Sequence, residues 1–207
     1  MNKAIHGAFR RDLDRFVAAL ERFPAGDSHR AQQLATAWEN FDDQLRHHHE
    51  GEHTIAWPHL EAIGVSRELL DTMDAEHDTM AVAITEARRA IGDLSRDPSA
   101  DSAQAALGAM QQLRSAAVLH LDHEEAEFEP VYQQHRDHPE IKAMGQKFSK
   151  VSPARGGRFF AWMLDGATPD QRTAVTSSVP GPVLSIITGV FGRGYRKNVA
   201  PVWAQSR

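Results

Sequence analysis

The residues of this chain that can do chemistry are its histidines and glutamates, because it has 12 histidines and no cysteine among 207 residues. Without thiols the chain can form no disulfide framework, no cysteine-based zinc finger, no cysteine-ligated iron–sulfur cluster and no cysteine nucleophile. The Cys-x-x-Cys-His attachment signature of c-type haem is excluded for the same reason. Any bound metal must therefore be held by imidazole and carboxylate groups, which suit iron, zinc, copper or manganese.

Two short motifs place the same ligand types 72 residues apart. In each motif a histidine is followed by a glutamate four residues later and by a proline ten residues later. The two motifs are His48–Glu52–Pro58 and His120–Glu124–Pro130. A further histidine precedes each motif, and these two, His6 and His77, are 71 residues apart. A spacing of four on a helix puts the imidazole and the carboxylate on one face, one turn apart.

Together these residues are the inventory of a dinuclear metal centre. Two such halves packed antiparallel would present four imidazoles and two carboxylates to one interior point, with two histidines for each metal and the carboxylates as bridges. We therefore predict the metal ligands His6, His48, Glu52, His77, His120 and Glu124. The pair His123 and Glu127 has the same spacing, but Gly51 lies opposite His123 in the other half, so that pair has no counterpart.

The elements that must position these residues are helices. Hydrophobic residues recur at steps of three and four over residues 6–23, 34–55, 70–94 and, less strictly, 113–131, and no useful length of strand-like alternation occurs. The prolines at positions 24, 58, 98 and 130 are expected at or near the breaks between these segments. We predict an all-α fold, with an up-down-up-down four-helix bundle over residues 1–140.

The predicted ligands lie in the same stripes as the core residues. Burying six polar groups without partners would cost several kcal/mol each, of order 2–7 for a neutral group and more for a charge. A hydrogen-bonded core network is one way to satisfy them. A metal site is the other, and it satisfies all six together, so we favour it.

The order His, His-x-x-x-Glu, His, His-x-x-x-Glu resembles the hemerythrin-like, or HHE cation-binding, family over about residues 1–138. The resemblance implies a non-haem di-iron site in which Glu52 and Glu124 bridge the metals. It also implies the histidine pairs His6 with His48 on one iron, and His77 with His120 on the other. Two departures from the oxygen-carrying hemerythrins resemble the bacterial branch and disfavour simple oxygen storage. Position 73 is methionine rather than histidine, and the second motif has three intervening residues ending in Glu instead of four ending in Asp.

The resemblance implies two iron ions, with zinc or manganese as substitutes, and an oxo or hydroxo bridge. About four protein donors per iron would leave room for O2, H2O2 or NO, which indicates a role in the oxidative or nitrosative stress response or in sensing. Peroxide decomposition and NO reduction are the enzyme activities left open, and no residue is assigned a catalytic role. A metal-storage or metal-responsive module without redox turnover is the alternative. A ferritin-like oxidase built on Glu50 and His53 and a metal-free helical interaction module are less favoured.

The other histidines receive weaker interpretations. Most of those near the motifs are expected at the surface or beside the ligands, and which of them support the ligands is left open: His47, His49, His53, His59 and His123. His49 and His53 lie one turn apart, and a rotation of the helix would let either replace a ligand. Those near helix ends are expected to face solvent: His29, His135 and His138. Acidic neighbours of the motifs are expected either to orient imidazole N–H groups or to be solvated: Glu50, Asp122 and Glu125. Four aromatic residues are expected to line the site, namely Phe9, Trp38, Phe41 and Phe128, with Tyr132 as a further candidate. Met73 is expected to pack in the core.

The charge distribution divides the chain. Residues 1–138 hold 25 acidic and 13 basic residues and every histidine, whereas residues 139–207 hold 3 acidic and 10 basic residues. We predict that residues 141–207 form a basic helical extension that packs on the acidic bundle, on a second copy in a homodimer, or on another partner. Packing on the bundle is favoured by charge; nucleic acid is not favoured, and a redox partner is left open. No secretory segment or membrane span is expected, so we predict a cytoplasmic protein.

Overall fold

The structure is a computed structural model that describes residues 1–204, and these residues contain helices and no strand. The helices are α1 Asn2–Glu21, α2 Ser28–Gly51, a π-helical segment Glu52–Ala56, α3 Trp57–Ala62, α4 Arg67–Arg96, α5 Ala100–Gln134, α6 Pro139–Phe148, α7 Pro153–Leu164, α8 Pro169–Ser178, α9 Gly181–Phe191, α10 Arg193–Asn198 and α11 Ala200–Ala204. The prediction of an all-α protein is therefore confirmed.

The main hydrophobic core lies between the four long helices, α1, α2, α4 and α5, and extends into the C-terminal helices. Helix α5 packs along α4 and α1, and helix α2 packs along α4 and α1. Phe9, Leu13 and Phe16 of α1 and Phe41 of α2 are at most 1 % exposed. Each such side chain contributes about 1.5–3 kcal/mol on burial. The steps of three and four in the sequence thus mark the faces by which these helices pack.

Three of the four long helices begin at side-chain caps. Asp27, Ser66 and Ser99 precede α2, α4 and α5, and each accepts a hydrogen bond from a backbone N–H in the first turn. A cap of this kind contributes about 1 kcal/mol by satisfying a donor that the helix leaves unpaired. The turns before α2 and α4 contain Gly26 and Gly64, whose φ angles of 88° and 96° lie in the left-handed region that favours glycine.

Two of the four prolines do not break the helices, so that part of the prediction is wrong. Pro130 lies inside α5, which continues to Gln134. Pro58 is the second residue of α3 and directly follows the π-helical segment, in which the Trp57 N–H donates to the Glu52 carbonyl. Proline has no N–H, and its ring clashes with the carbonyl four residues earlier, so a wider π turn accommodates it without ending the helix.

Residues 139–204 contact the long helices at several points. Helices α7 and α8 pack on α1, α11 packs on α2, and α6 packs on α3 and the π-helical segment. The indole N–H of Trp162 donates to Asp12 at 2.7 Å, and both residues are buried. Arg15 on α1 forms an ion pair of 3.0 Å with Asp165. The division into a domain of residues 1–140 and an extension of residues 141–207 stays a prediction.

Within residues 1–204, no single helix has both the length and the apolar composition that crossing a membrane requires. Helices α8 and α9 meet these two criteria only when taken as a pair, and the pair is bent by 103°.

Candidate metal centre

The structure brings the six predicted ligands together in the interior of the long helices. His6 comes from α1, His48 from α2, Glu52 from the start of the π-helical segment and His77 from α4, while α5 supplies the pair His120 and Glu124. Four of them are at most 4 % exposed, namely His6, Glu52, His120 and Glu124. The remaining two are only slightly more accessible, with side chains 9 % and 11 % exposed for His48 and His77.

The donor atoms form two groups, each with all of its atoms within 4.8 Å of one another. Group A consists of His6, His48, Glu52 and Glu124. Group B consists of His49, Glu52, His77 and His120. Glu52 belongs to both groups, Glu124 belongs to group A alone, and the histidines divide into the pairs that the family resemblance implies. His49 was not among the predicted ligands.

The atoms of group A lie close together without forming hydrogen bonds. His6 Nε2 is 3.0 Å from Glu124 Oε2, and His48 Nε2 is 2.9 Å from Glu52 Oε1. None of these four atoms has a partner with hydrogen-bond geometry among the described residues. Leaving a buried polar atom unpaired costs about 1–3 kcal/mol, and more for a charged group. A cation between these atoms would satisfy them all, so the residues present fit a metal ion.

Group B is arranged around two imidazoles that face each other. His77 Nε2 lies 3.0 Å from His120 Nε2 and 3.4 Å from Glu52 Oε2. The ring of His49 stacks on His77 with the centroids 4.1 Å apart, and its Nε2 is buried without a hydrogen-bond partner among the described residues. Since two imidazole nitrogens can approach this closely only by sharing a proton or a cation, group B also fits a metal ion.

Carboxylates outside the two groups hold the imidazoles by their other nitrogen. Glu125 accepts from His6 Nδ1 at 2.9 Å, and Glu76 accepts from His120 Nδ1 at 2.9 Å. An ionised carboxylate can only accept, so each imidazole donates its Nδ1–H and, in its neutral form, presents an Nε2 lone pair to the site. Partners of this kind orient metal-binding histidines and raise their basicity.

The prediction that acidic neighbours orient imidazoles holds for Glu125 only. Asp122 instead binds Arg10 at 2.6 Å, and Glu50 binds Arg46 at 3.1 Å. Sequence reasoning missed Glu76, which also accepts from His123 Nδ1 at 2.7 Å. Glu76 directly precedes His77, but the imidazoles it holds are on α5, so nothing in the local sequence marks the contact.

Charge and burial shift the pKa values of the predicted ligands in different directions. Burial disfavours the charged form of His6, but Glu124 and Glu125 outweigh it and raise the pKa of His6 to about 9. Burial, reinforced by the charge on His6, lowers the pKa of His48 to about 3. Burial and the negative charge of Glu124 raise the pKa of Glu52 well above its ordinary value. A metal ion that replaces the protons here would let both carboxylates ionise beside neutral imidazoles.

Aromatic side chains cover two sides of the site. Phe9 contacts His48 with the ring centroids 5.2 Å apart, as predicted for a residue that lines the site. Trp57 lies parallel to His77 at 6.2 Å and donates its indole N–H to Asp74 at 2.8 Å, a role that the sequence did not indicate. Phe128 packs against Trp57, and Met73 is fully buried in the same cluster. Trp38 and Phe41 were also expected to line the site, but they pack in the core with Phe16.

The remaining seven histidines lie outside both groups. His47 Nδ1 bonds the Asp43 carbonyl at 2.7 Å, and His59 Nδ1 bonds Glu140 on α6 at 2.6 Å. His53 is exposed and 3.3 Å from Asp74. Of the three expected to face solvent, His29 and His138 are exposed and His135 is partly buried.

An all-helical domain whose interior collects imidazoles and carboxylates in two adjoining groups has the make-up of a metal-binding protein. The family model for the hemerythrin HHE cation-binding domain matches residues 3–132. That range is more than half of the chain, and the chain therefore belongs to the hemerythrin HHE family, as its motif order predicted. A search of curated proteins and a search of solved structures each found no match.

Proposed function

We propose that this protein is a non-haem di-iron protein that binds O2, H2O2 or NO and acts in the response to, or the sensing of, oxidative or nitrosative stress. The observation that carries the proposal is the pair of donor groups joined through Glu52. One shared carboxylate between two sets of imidazole and carboxylate donors in the interior is the arrangement that two neighbouring metal ions require. Membership of the hemerythrin HHE family supports iron as the metal.

Each predicted ligand has a role in this proposal. His6 and His48 would hold one iron, His77 and His120 would hold the other, and Glu52 would offer an oxygen to each. Glu124 would supply a second carboxylate to the iron of group A, since its oxygen joins that donor group alone. When bound, iron would supply redox chemistry and open coordination positions for a small ligand.

The protein's own groups then determine the surroundings of the metals. Glu125 and Glu76 keep the Nδ1 proton on His6 and His120, so that Nε2 faces the site. Phe9 and Trp57 limit water on two sides of the ligands. Loading the site releases the protons that His6 and Glu52 hold, so metal affinity falls as the pH falls.

The proposal includes a specific arrangement of helices. We propose that α1, α2, α4 and α5 run up-down-up-down, since short connections join α1 to α2 and α4 to α5, and each long helix packs on two of the others. In this arrangement four neighbouring helices direct one face each to a common centre. That geometry accounts for ligands drawn from all four.

The test is anaerobic loading of the purified protein with ferrous iron, followed by separate exposure to O2, H2O2 and NO. We expect two irons per chain by elemental analysis and a change in the ultraviolet–visible spectrum with at least one of the three ligands. Fewer than two irons per chain would overturn the proposal. Two irons without any spectral change would favour metal storage, and repeated consumption of peroxide or NO would identify an enzyme.

A matched pair of variants distinguishes a predicted metal ligand from a neighbouring histidine that is not one. His48→Leu removes a predicted ligand, whereas His47→Leu removes the neighbouring imidazole, which bonds the Asp43 carbonyl. We expect iron loss only in His48→Leu. Equal iron content in the two variants would contradict the assignment of His48.

A further inference from the structure

His49 differs from the other histidines outside the predicted ligand set. All twelve histidines lie in the described part of the chain, and among them His49 alone joins the predicted ligands in a donor group. Its ring stacks on His77 and lies edge-on to His120, with centroids 4.1 Å and 6.1 Å away. Its Nε2 is buried and has no hydrogen-bond partner in the described residues.

We propose that His49 is a metal ligand, the third imidazole of group B. The inference rests on the proposed di-iron function and deepens it, because it makes the two metal positions chemically unequal. Group A then offers two imidazoles and two carboxylates. Group B offers three imidazoles and the shared carboxylate of Glu52.

Helix geometry explains how consecutive residues can serve different metals. Neighbouring residues of an α-helix point about 100° apart, since one turn contains 3.6 residues. Helix α2 contacts both α1 and α4. His48 accordingly faces His6 of α1 at a centroid distance of 5.2 Å, while His49 faces His77 of α4.

A purely structural role does not account for His49. The position 72 residues later is Leu121, which is buried and apolar, so the equivalent place in the other half is filled by a residue without a polar atom. A buried imidazole with an unpaired nitrogen costs free energy that leucine does not.

The different donor sets have a measurable consequence. A carboxylate stabilises ferric iron more than a neutral imidazole does, because it carries a negative charge. The iron in group A is therefore expected to be the more easily oxidised. In protein loaded with 57Fe, two unequal environments should give two Mössbauer quadrupole doublets of equal area.

The decisive variant is His49→Phe, which keeps an aromatic ring to stack on His77 and removes the nitrogen. We expect it to lose one of the two doublets, with the second iron bound more than about 100-fold more weakly, beyond the 10–100-fold effect of removing a ligand's hydrogen-bond partner. The control is His47→Phe, which should keep both irons and both doublets. If His49→Phe does not fold by circular dichroism, His49→Leu, the residue found at position 121, replaces it.

The outcomes separate this inference from the proposed function. Wild-type protein that fails to bind two irons overturns both. Wild-type protein with two irons, together with a His49 variant that keeps both irons and both doublets, overturns only the role of His49. Equal weakening of both irons in the variant would also overturn it, because a ligand of group B alone must affect one iron more than the other.

Discussion

The two donor groups come from two similar stretches of sequence, yet they are not copies of each other. Group A takes Glu124 from the second half of the repeat, and group B takes Glu52 and His49 from the first. The repeat therefore duplicates ligand types along the chain, but it does not assign one half to one metal. Each donor group contains residues from both halves of the repeat, so neither half can form a complete group alone.

The groups also differ in charge. In group A, His6 and Glu124 form a buried contact of 3.0 Å, and the pKa of His6 is raised to about 9. In group B the corresponding histidine, His77, has other imidazoles as its main neighbours, and burial together with His120 lowers its pKa to about 4. A carboxylate beside one histidine and imidazoles beside the other explain the opposite shifts of equivalent residues.

The largest effect is expected from Glu52→Gln, because Glu52 is common to both groups. Iron binding should fall to less than one equivalent per chain. The metal-free variant should be more stable than the wild type by about 1–3 kcal/mol in the free energy of unfolding, because it lacks a buried carboxyl group that resists ionisation. It should therefore unfold at a higher temperature. Elemental analysis and thermal melts measure the two effects, with Glu50→Gln, which changes an exposed carboxylate, as the control. Full iron loading of Glu52→Gln would contradict the shared role.

Single replacements in the two groups should each remove one iron. His6→Phe is expected to lose the iron of group A, and His77→Phe the iron of group B, because each removes one nitrogen donor and leaves the other group intact. Iron content and Mössbauer spectra distinguish the two cases, and the exposed His53→Phe serves as the control. Loss of both irons from either single variant would show that the groups do not bind independently.

A smaller effect is expected from the carboxylates that orient the ligands. Glu125→Gln should weaken the iron of group A, and Glu76→Gln the iron of group B, by about 10–100-fold, because each imidazole loses its charged acceptor at Nδ1. Competition titration with a chelator measures the affinities. Asp122→Asn is the matched control, since Asp122 binds Arg10 and no imidazole. Equal weakening of both irons by Glu125→Gln would argue against separate groups.

The smallest effect is a difference in titration between equivalent histidines. In metal-free protein, His6 should titrate near pH 9 and His77 near pH 4, against 6.5 for an unperturbed imidazole. The raised pKa stabilises the fold below pH 6.5, and this contribution is lost as the pH rises through about 9. The lowered pKa destabilises the fold increasingly as the pH falls from 6.5 to about 4. Histidine NMR measures both values, and titration of both residues near 6.5 would refute the difference.

Much of the fold was accessible from the sequence because local patterns determine local structure. The steps of three and four predicted the core faces of the long helices, and Phe9, Leu13 and Phe16 are buried as the steps require. The breaks expected at Pro58 and Pro130 were wrong, since a π turn precedes the first and α5 continues through the second. Whether a proline ends a helix depends on whether the packed neighbours can hold the chain helical, which a local pattern does not reveal.

The sequence by itself determined the ligand types and the helix faces that carry them, because a spacing of four on a helix puts His48 beside Glu52 whatever surrounds it. Only the tertiary structure decided that Glu52 belongs to both groups, that His49 faces His77 and that Glu76 holds His120. Glu52 and His77 are 25 positions apart, His49 and His77 are 28 apart, and Glu76 and His120 are 44 apart, in each case on different helical segments. These contacts depend on how far each helix is rotated about its axis, and that rotation is set by the packing of the whole core.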